Sequence, residues 1–130
     1  MAHLLRVGLI GEATILADES QSALTLGSGS ISVFATPAML ALMENAAVRA
    51  LEPVLDDGYS SVGIDVNIRH TSATPLGETI IAVAEVTRVE DRRVTFEVRA
   101  WDDREMIGEG THVRFIINVE RFLERLQDRA

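Results

Sequence analysis

The sequence predicts an α+β fold, with one long helix set against about five antiparallel strands. Three observations carry this. Only one long segment, Thr36 to Leu51, has both a helix start and a helix stop. Four runs between Ser61 and Asn118 are rich in apolar and β-branched residues and are separated by turns. Another strand-like run precedes the helix. Tight turns join antiparallel neighbours, so the four later runs read as consecutive paired strands.

In order, Gly8 to Asp18 reads as the first strand, with apolar Ile10, Ala13, Ile15 and Ala17. Glu19 to Ser32 is rich in Ser and Gly and reads as a loop, placed as a lid. Its Gly27-Ser-Gly29 is a weak phosphate-loop signal, lacking a third Gly and any Lys. Thr36 and Pro37 suit an N-cap and the first helical position. The helix should stop near Pro53, and Asp56 to Gly58 is a turn. Ser61 to His70 alternates, with Val62, Ile64, Val66 and Ile68 on one face. Thr74 to Gly77 is a turn. Thr79 to Val89 is apolar enough for a strand buried on both faces. Glu90 to Arg93 turns into a run carrying Val94, Phe96, Val98 and Ala100, and Asp102 to Arg104 turns again. Met106 to Asn118 is the last strand. A short amphipathic helix with Val119, Phe122, Leu123 and Leu126 follows.

A chain of 130 residues makes one domain, 1–130. Its 12 basic residues, all Arg, face 20 Asp plus Glu, for a net charge of -8. Without Lys, a Schiff-base lysine and a phosphate-loop lysine are excluded. An acidic surface repels a phosphate backbone, so nucleic acid is not an expected partner. With no Cys, thiol catalysis and Cys-ligated zinc are excluded. Three scattered His lack metal-site spacing, so no metal is expected. Met1 to Ile10 does not read as a leader peptide and no run is long enough to span a membrane. The expectation is a soluble cytoplasmic protein with no membrane partner.

The informative residues are polar groups at apolar positions. On a helical projection Glu44 falls among Pro37, Leu40, Ala47, Val48 and Leu51, in the middle of the apolar face. A carboxylate there must be protonated, hydrogen-bonded or paired. It either caps backbone groups or faces a partner, or it does acid/base or nucleophilic work. Counting by two from Val62 brings His70 onto the apolar face at a strand end. It is a satisfied core histidine or a proton-transfer group. Thr36 is first of all a cap, at a helix end that can also meet an oxyanion. His112 and Arg114 share a face with Gly108 and Gly110, which leave room for a ligand or another backbone. The plainer reading of that pair is an exposed or interface position. His3, Tyr59 and Trp101 carry no usable pattern.

Three blocks resemble one family. Val33 to Glu44, Val62 to Gly77 and Ile107 to Phe115 are similar, in order and spacing, to the fluoroacetyl-CoA thioesterase family, over roughly residues 7 to 126. The resemblance implies the hot-dog fold, in which a sheet wraps a central helix, and hydrolysis of acyl-CoA thioesters at a dimer interface. It implies that Thr36, Glu44 and His70 are catalytic. It implies that Gly63 and Arg114 hold the acyl group. No cofactor is implied, CoA being part of the substrate. Its phosphates need local Arg, for which Arg69, Arg92 and Arg93 are candidates. The family's aromatic-rich lid has no counterpart in Ser20 to Ser32, so the expected acyl group is short or branched rather than fluoroacetyl.

Thr36 and Glu44 lie eight residues apart, about 12 Å along a helix, and cannot hydrogen-bond directly. Either His70 and the substrate lie between them or a partner chain contributes. A two-fold homodimer with shared sites, or a pair of such dimers, is expected. Two alternatives stay open. Asp65-x-Asn67-x-x-His70 resembles a motif of hot-dog enoyl-CoA hydratases, although Asp65 and His70 should point to opposite faces. A non-catalytic acyl-CoA binder would keep the pocket without turnover.

Overall fold

A computed structural model describes residues 4–129; His3 and the start of Met1 to Ile10 lie outside them. Strand β1 (Ile10–Leu16) leads to a 3-10 turn (Glu19–Gln21) and a short helix α1 (Ala23–Leu26). The long helix α2 (Thr36–Leu51) follows, then β2 (Tyr59–His70), β3 (Thr79–Glu90), β4 (Arg93–Trp101), β5 (Met106–Asn118) and α3 (Val119–Gln127). The strands form one five-stranded antiparallel sheet in the order β1-β3-β4-β5-β2. This is the expected α+β hot-dog arrangement, with its long helix and short C-terminal helix.

Small residues set the distance between helix and sheet. The buried side of α2 is Ala38, Met39, Leu42, Met43, Ala46, Ala47, Ala50 and Leu51. It meets buried Ala13, Ala82 and Ala84. A Cβ added at Gly11 would overlap the backbone of Ala46 and Ala50. The helix therefore lies on β1 at backbone distance, where only glycine fits. It packs mainly on β1 and β3, and touches β2 much less. The inner face near β2 is left open, and Val66 there is 37% exposed.

Four expectations change. Strand β2 does not neighbour β3; it pairs with β5 at the far edge of the sheet. Residues 71–78 form a crossing connection rather than a hairpin, because their backbone bonds go elsewhere. Thr71 N–H donates to Ile107 O, Phe34 N–H to Thr74 O, and Gly77 N–H to Ala17 O. Second, β3 is buried on one side only: Ile80, Ala82, Ala84 and Val86 are inside, while Ile81 is exposed. Third, β2 does not alternate strictly. Its register with β5 shifts between Gly63 and Asp65, so Val62 lies opposite Phe115 while Val66, Ile68 and His70 lie opposite His112, Gly110 and Gly108. A bulge at Ile64 moves the inner face from odd to even residues. Fourth, the Glu19 to Ser32 loop contains ordered turns. Glu19 Oε1 accepts from the hydroxyls of Ser22, Thr25 and Ser32.

No helix among the described residues is long and apolar enough to cross a membrane. The contact at Gly11 predicts that Gly11→Ala, which forces a methyl into helix backbone, lowers unfolding stability by at least about 2 kcal/mol. Urea denaturation checks this, and a loss below about 0.5 kcal/mol would contradict the close helix-to-strand contact.

Candidate active site

The expected site residues fall into two clusters. The first is at the start of α2. Thr36 is the first helical residue rather than the cap; the N-cap is Ala35, without a side-chain cap bond. The Thr36 hydroxyl is thereby free for another partner. Thr36 Oγ1 lies 2.7 Å from His70 Nδ1, at the end of β2. Both residues line a cavity of about 250 Å³ with Ala23, Ser28, Val33 and Phe34. The lid segment therefore does stand over this pair.

His70 is half-buried, and its Nε2 is buried with no hydrogen-bond partner. Burial lowers its pKa from the ordinary 6.5, against a smaller opposing effect of the Ser72 backbone. Burial disfavours the imidazolium, so the ring stays neutral to lower pH than it would in water. If Thr36 donates to Nδ1, Nε2 carries the proton and is an acid; in the other tautomer Nε2 is a base. Either way a proton-transfer atom stands unsatisfied beside the cavity.

The second cluster surrounds Arg114 on β5. Arg114 is 6% exposed. Its Nε donates to Ser61 Oγ at 2.8 Å and its Nη2 to Ser61 O at 3.1 Å. Nη1 donates to Glu44 Oε2 at 3.3 Å and lies 3.1 Å from His112 Nε2. Burial lowers the Arg114 pKa, and Glu44 opposes that shift. A buried cation needs such acceptors, since several kcal/mol rides on leaving one unpaired. A Cβ on Gly63 would sit 2.7 Å from Glu44 Oε2 and 3.1 Å from His112 Cε1. Exposed Gly63 thus keeps the approach to Glu44 and Arg114 open.

Two expectations are corrected here. Glu44 is not in the middle of the buried face: its side chain is 37% exposed. Helix α2 carries a second apolar stripe, Leu40 and Val48, that stays only half-buried, and Glu44 belongs to it. His112 and Arg114 are not an exposed pair but are buried. The room beside Gly108 and Gly110 is filled by the chain itself. Met39 Sδ would lie 2.5 Å from a Cβ on Gly108, and the β2 backbone crowds Gly110.

The two clusters do not meet within one chain. His70 lies opposite Gly108 and Gly63 opposite Arg114 on the same strand. Six residues of extended chain separate them, roughly 20 Å. Asp65 lies opposite Val113, on the other side of the sheet from His70, which speaks against the hydratase motif. The three candidate phosphate ligands are scattered. Arg69 lies opposite Glu109, at the far end of β5 from Phe115, which lies opposite Arg93. Arg92 instead lines a separate pocket with Arg121, Arg125 and Phe122. Sequence reasoning missed Ser61 altogether and did not see what His112 holds. Among the described residues no group of His, Cys, Asp or Glu is placed to hold a metal ion.

Residues 17–120 match the family described as fluoroacetyl-CoA-specific thioesterase. A fluoroacetyl-CoA thioesterase of Streptantibioticus cattleyicolor is 43% identical over 98 residues, 75% of this chain and 70% of that protein. A solved fluoroacetyl-CoA thioesterase superposes with a TM-score of 0.89 at 35% identity, covering 97% of this chain and 98% of the other. A thioesterase superfamily member of Thermus thermophilus does so with a TM-score of 0.86 at 25% identity, covering 98% and 96%.

The crowding at Gly63 predicts the outcome of Gly63→Ala. The methyl pushes the Glu44 carboxylate out of hydrogen-bond reach of Arg114, and stability falls by about 1–3 kcal/mol because the buried guanidinium loses its carboxylate partner while Glu44 swings into solvent. A crystal structure of the variant with the Glu44–Arg114 contact intact would contradict this.

Proposed function

The chain belongs to the fluoroacetyl-CoA-specific thioesterase family, and we propose that its reaction runs at sites shared between two copies of the chain. It is a thioesterase that hydrolyses a short acyl-CoA to the free acid and CoA. Solved relatives hold fluoroacetate with CoA in one case and acetyl-CoA in another, so CoA enters as substrate.

The observation that carries the shared site is the separation of the two clusters. A short acyl thioester cannot touch groups roughly 20 Å apart on one strand. A second copy related by a two-fold axis brings Glu44, Gly63 and Arg114 of one chain to Thr36 and His70 of the other. The chain offers surface for it. Strand β2 has a free edge, Ile64 is 46% and Val66 37% exposed, and Leu40 and Val48 flank Glu44 half-buried. The reading takes 1–130 as one domain, paired as a homodimer or as a pair of dimers. With a CoA-linked substrate, we infer a cytoplasmic location.

In this reading the thioester carbonyl lies between the clusters. Thr36 and the helix-end amides orient it and stabilise the oxyanion. His70, starting neutral, takes a proton at Nε2 from the attacking water as base, and the imidazolium then returns that proton to the leaving thiolate. Arg114 holds Glu44 Oε2, which leaves Oε1 to act as nucleophile or as base for water. Gly63 and Arg114 flank the acyl group. A short or branched acyl chain is the proposed substrate, because the lid segment lends the cavity over Thr36 and His70 only the small side chains of Ala23 and Ser28, while Val33 and Phe34, which follow that segment, complete the wall.

Release of free thiol from a panel of short, branched and aromatic acyl-CoAs tests this. Thr36→Ala, Glu44→Ala and His70→Ala should each lower kcat/KM by about 100-fold or more, with the fold intact. Binding without thiol release from any acyl-CoA would favour the non-catalytic binder. The acid limb has a definite sign. Activity needs neutral His70, and burial lowers its pKa from 6.5. Activity therefore persists below pH 6.5 and falls only at more acid values; a limb centred above 6.5 would contradict a buried, neutral His70.

A further inference from the structure

His112 is buried at 2% exposure on the inner face of β5, in contact with both members of the Arg114–Glu44 pair. Its Nδ1 lies 2.9 Å from Asp65 O. A carbonyl oxygen only accepts, so Nδ1 carries the proton. That leaves Nε2 as a lone-pair acceptor. Arg114 Nη1, which only donates, lies 3.1 Å away. Glu44 Oε2 is 3.9 Å from the same Nε2, beyond a hydrogen bond, with the guanidinium bonded to both. The ring itself is fixed by stacking on Phe96, with centroids 6.2 Å apart. Nothing in this arrangement brings His112 to the substrate.

We propose that His112 is a positioning residue: in its neutral Nδ1–H form it accepts from Arg114 and so aims the guanidinium, and through it Glu44, at the shared site. The proposal rests on the reading that Arg114 and Glu44 belong to that site. Ser61 alone holds Nε and Nη2, so without His112 the third nitrogen has only a half-exposed carboxylate to fix it.

The tautomer argument also makes the position sensitive to acid. A second proton on Nε2 would set two donors against each other at 3.1 Å and two cations side by side. The charged or titratable groups that act on the ring are Arg114 on β5 and Glu44 on α2, which share its face, and Asp65 on β2, whose side chain lies across the sheet. Burial is the largest influence and keeps the ring neutral, with Arg114 adding to it. The Asp65 carbonyl and the charges of Glu44 and Asp65 oppose. Protonation hands Glu44 a new donor in His112 and takes from Arg114 Nη1 its ring acceptor.

The experiment compares His112→Gln, whose terminal oxygen can accept near the Nε2 position, with His112→Asn, whose shorter amide can serve Asp65 O but not Arg114. Thermal melts confirm folding, and steady-state hydrolysis is measured from pH 5 to 8 with Arg114→Ala as control. His112→Asn should lose about 10- to 100-fold in kcat, as loss of an outer hydrogen-bond partner does. His112→Gln should stay within about threefold of wild type at neutral pH. The wild-type acid limb should reflect two protonations, at His70 and His112, and the Gln variant only one. Equal activity of the Asn and Gln variants, or an unchanged acid limb in the Gln variant, would overturn the proposal. If Arg114→Ala leaves activity unchanged while His112→Asn lowers it, the premise that Arg114 belongs to the site fails, and the proposal with it. If Arg114→Ala collapses activity and His112→Asn matches wild type, the proposal alone fails.

Discussion

The closeness of α2 to β1 is the constraint on which the rest of the structure hangs. Gly11 lets the helix backbone rest on the strand, and Ala46 and Ala50 leave no bulk to lift it. Cores are packed too tightly for a helix seated this way to shift by a residue's width without cost. Two things follow. The helix start is delivered to the end of β2, where Thr36 meets His70. The opposite flank of the helix reaches out over the β2 side, where Glu44 meets Arg114.

The same placement leaves inner surface uncovered near β2, and that is where the charged residues lie. A buried guanidinium is costly unless every nitrogen finds an acceptor. Ser61, His112 and Glu44 supply those acceptors from β2, β5 and α2. Gly63 supplies the space. The arrangement is expensive to build and specific in geometry, which fits a group kept for chemistry rather than for stability. In the proposed dimer, this hydrogen-bonded cluster from one chain faces the Thr36–His70 cavity of the other.

Much of this was legible in the residues. The turn chemistry and periodicity marked every main element, and Pro53 marked the end of α2 within a few residues. Glu44 and His70 were visible as polar groups where apolar ones were due, whereas Arg114 read as an exposed or interface residue and entered only through the family resemblance. What was hidden depends on pairing across distance. Nothing in the chain order says that β2 skips β3 to pair with β5, so Ser61 could not be matched with Arg114. The bulge at Ile64 hides the change of face, because Val62, Ile64, Val66 and Ile68 still alternate in the letters. Thr36 was misplaced by one position because a Thr–Pro pair satisfies the capping rule equally well from inside the helix, where its hydroxyl is free to reach His70.

The shared site is the central claim, and mixing two inactive variants tests it most directly. His70→Ala and Glu44→Ala chains, each nearly inert alone, are unfolded together and refolded at equal amounts. In a mixed dimer one site receives both mutations and the other receives neither. The account predicts that activity returns to about a quarter of wild type, since about half the dimers are mixed and each has one intact site. A mixture no more active than the sum of its two parts would place Glu44 and His70 in the same chain's site and contradict the account.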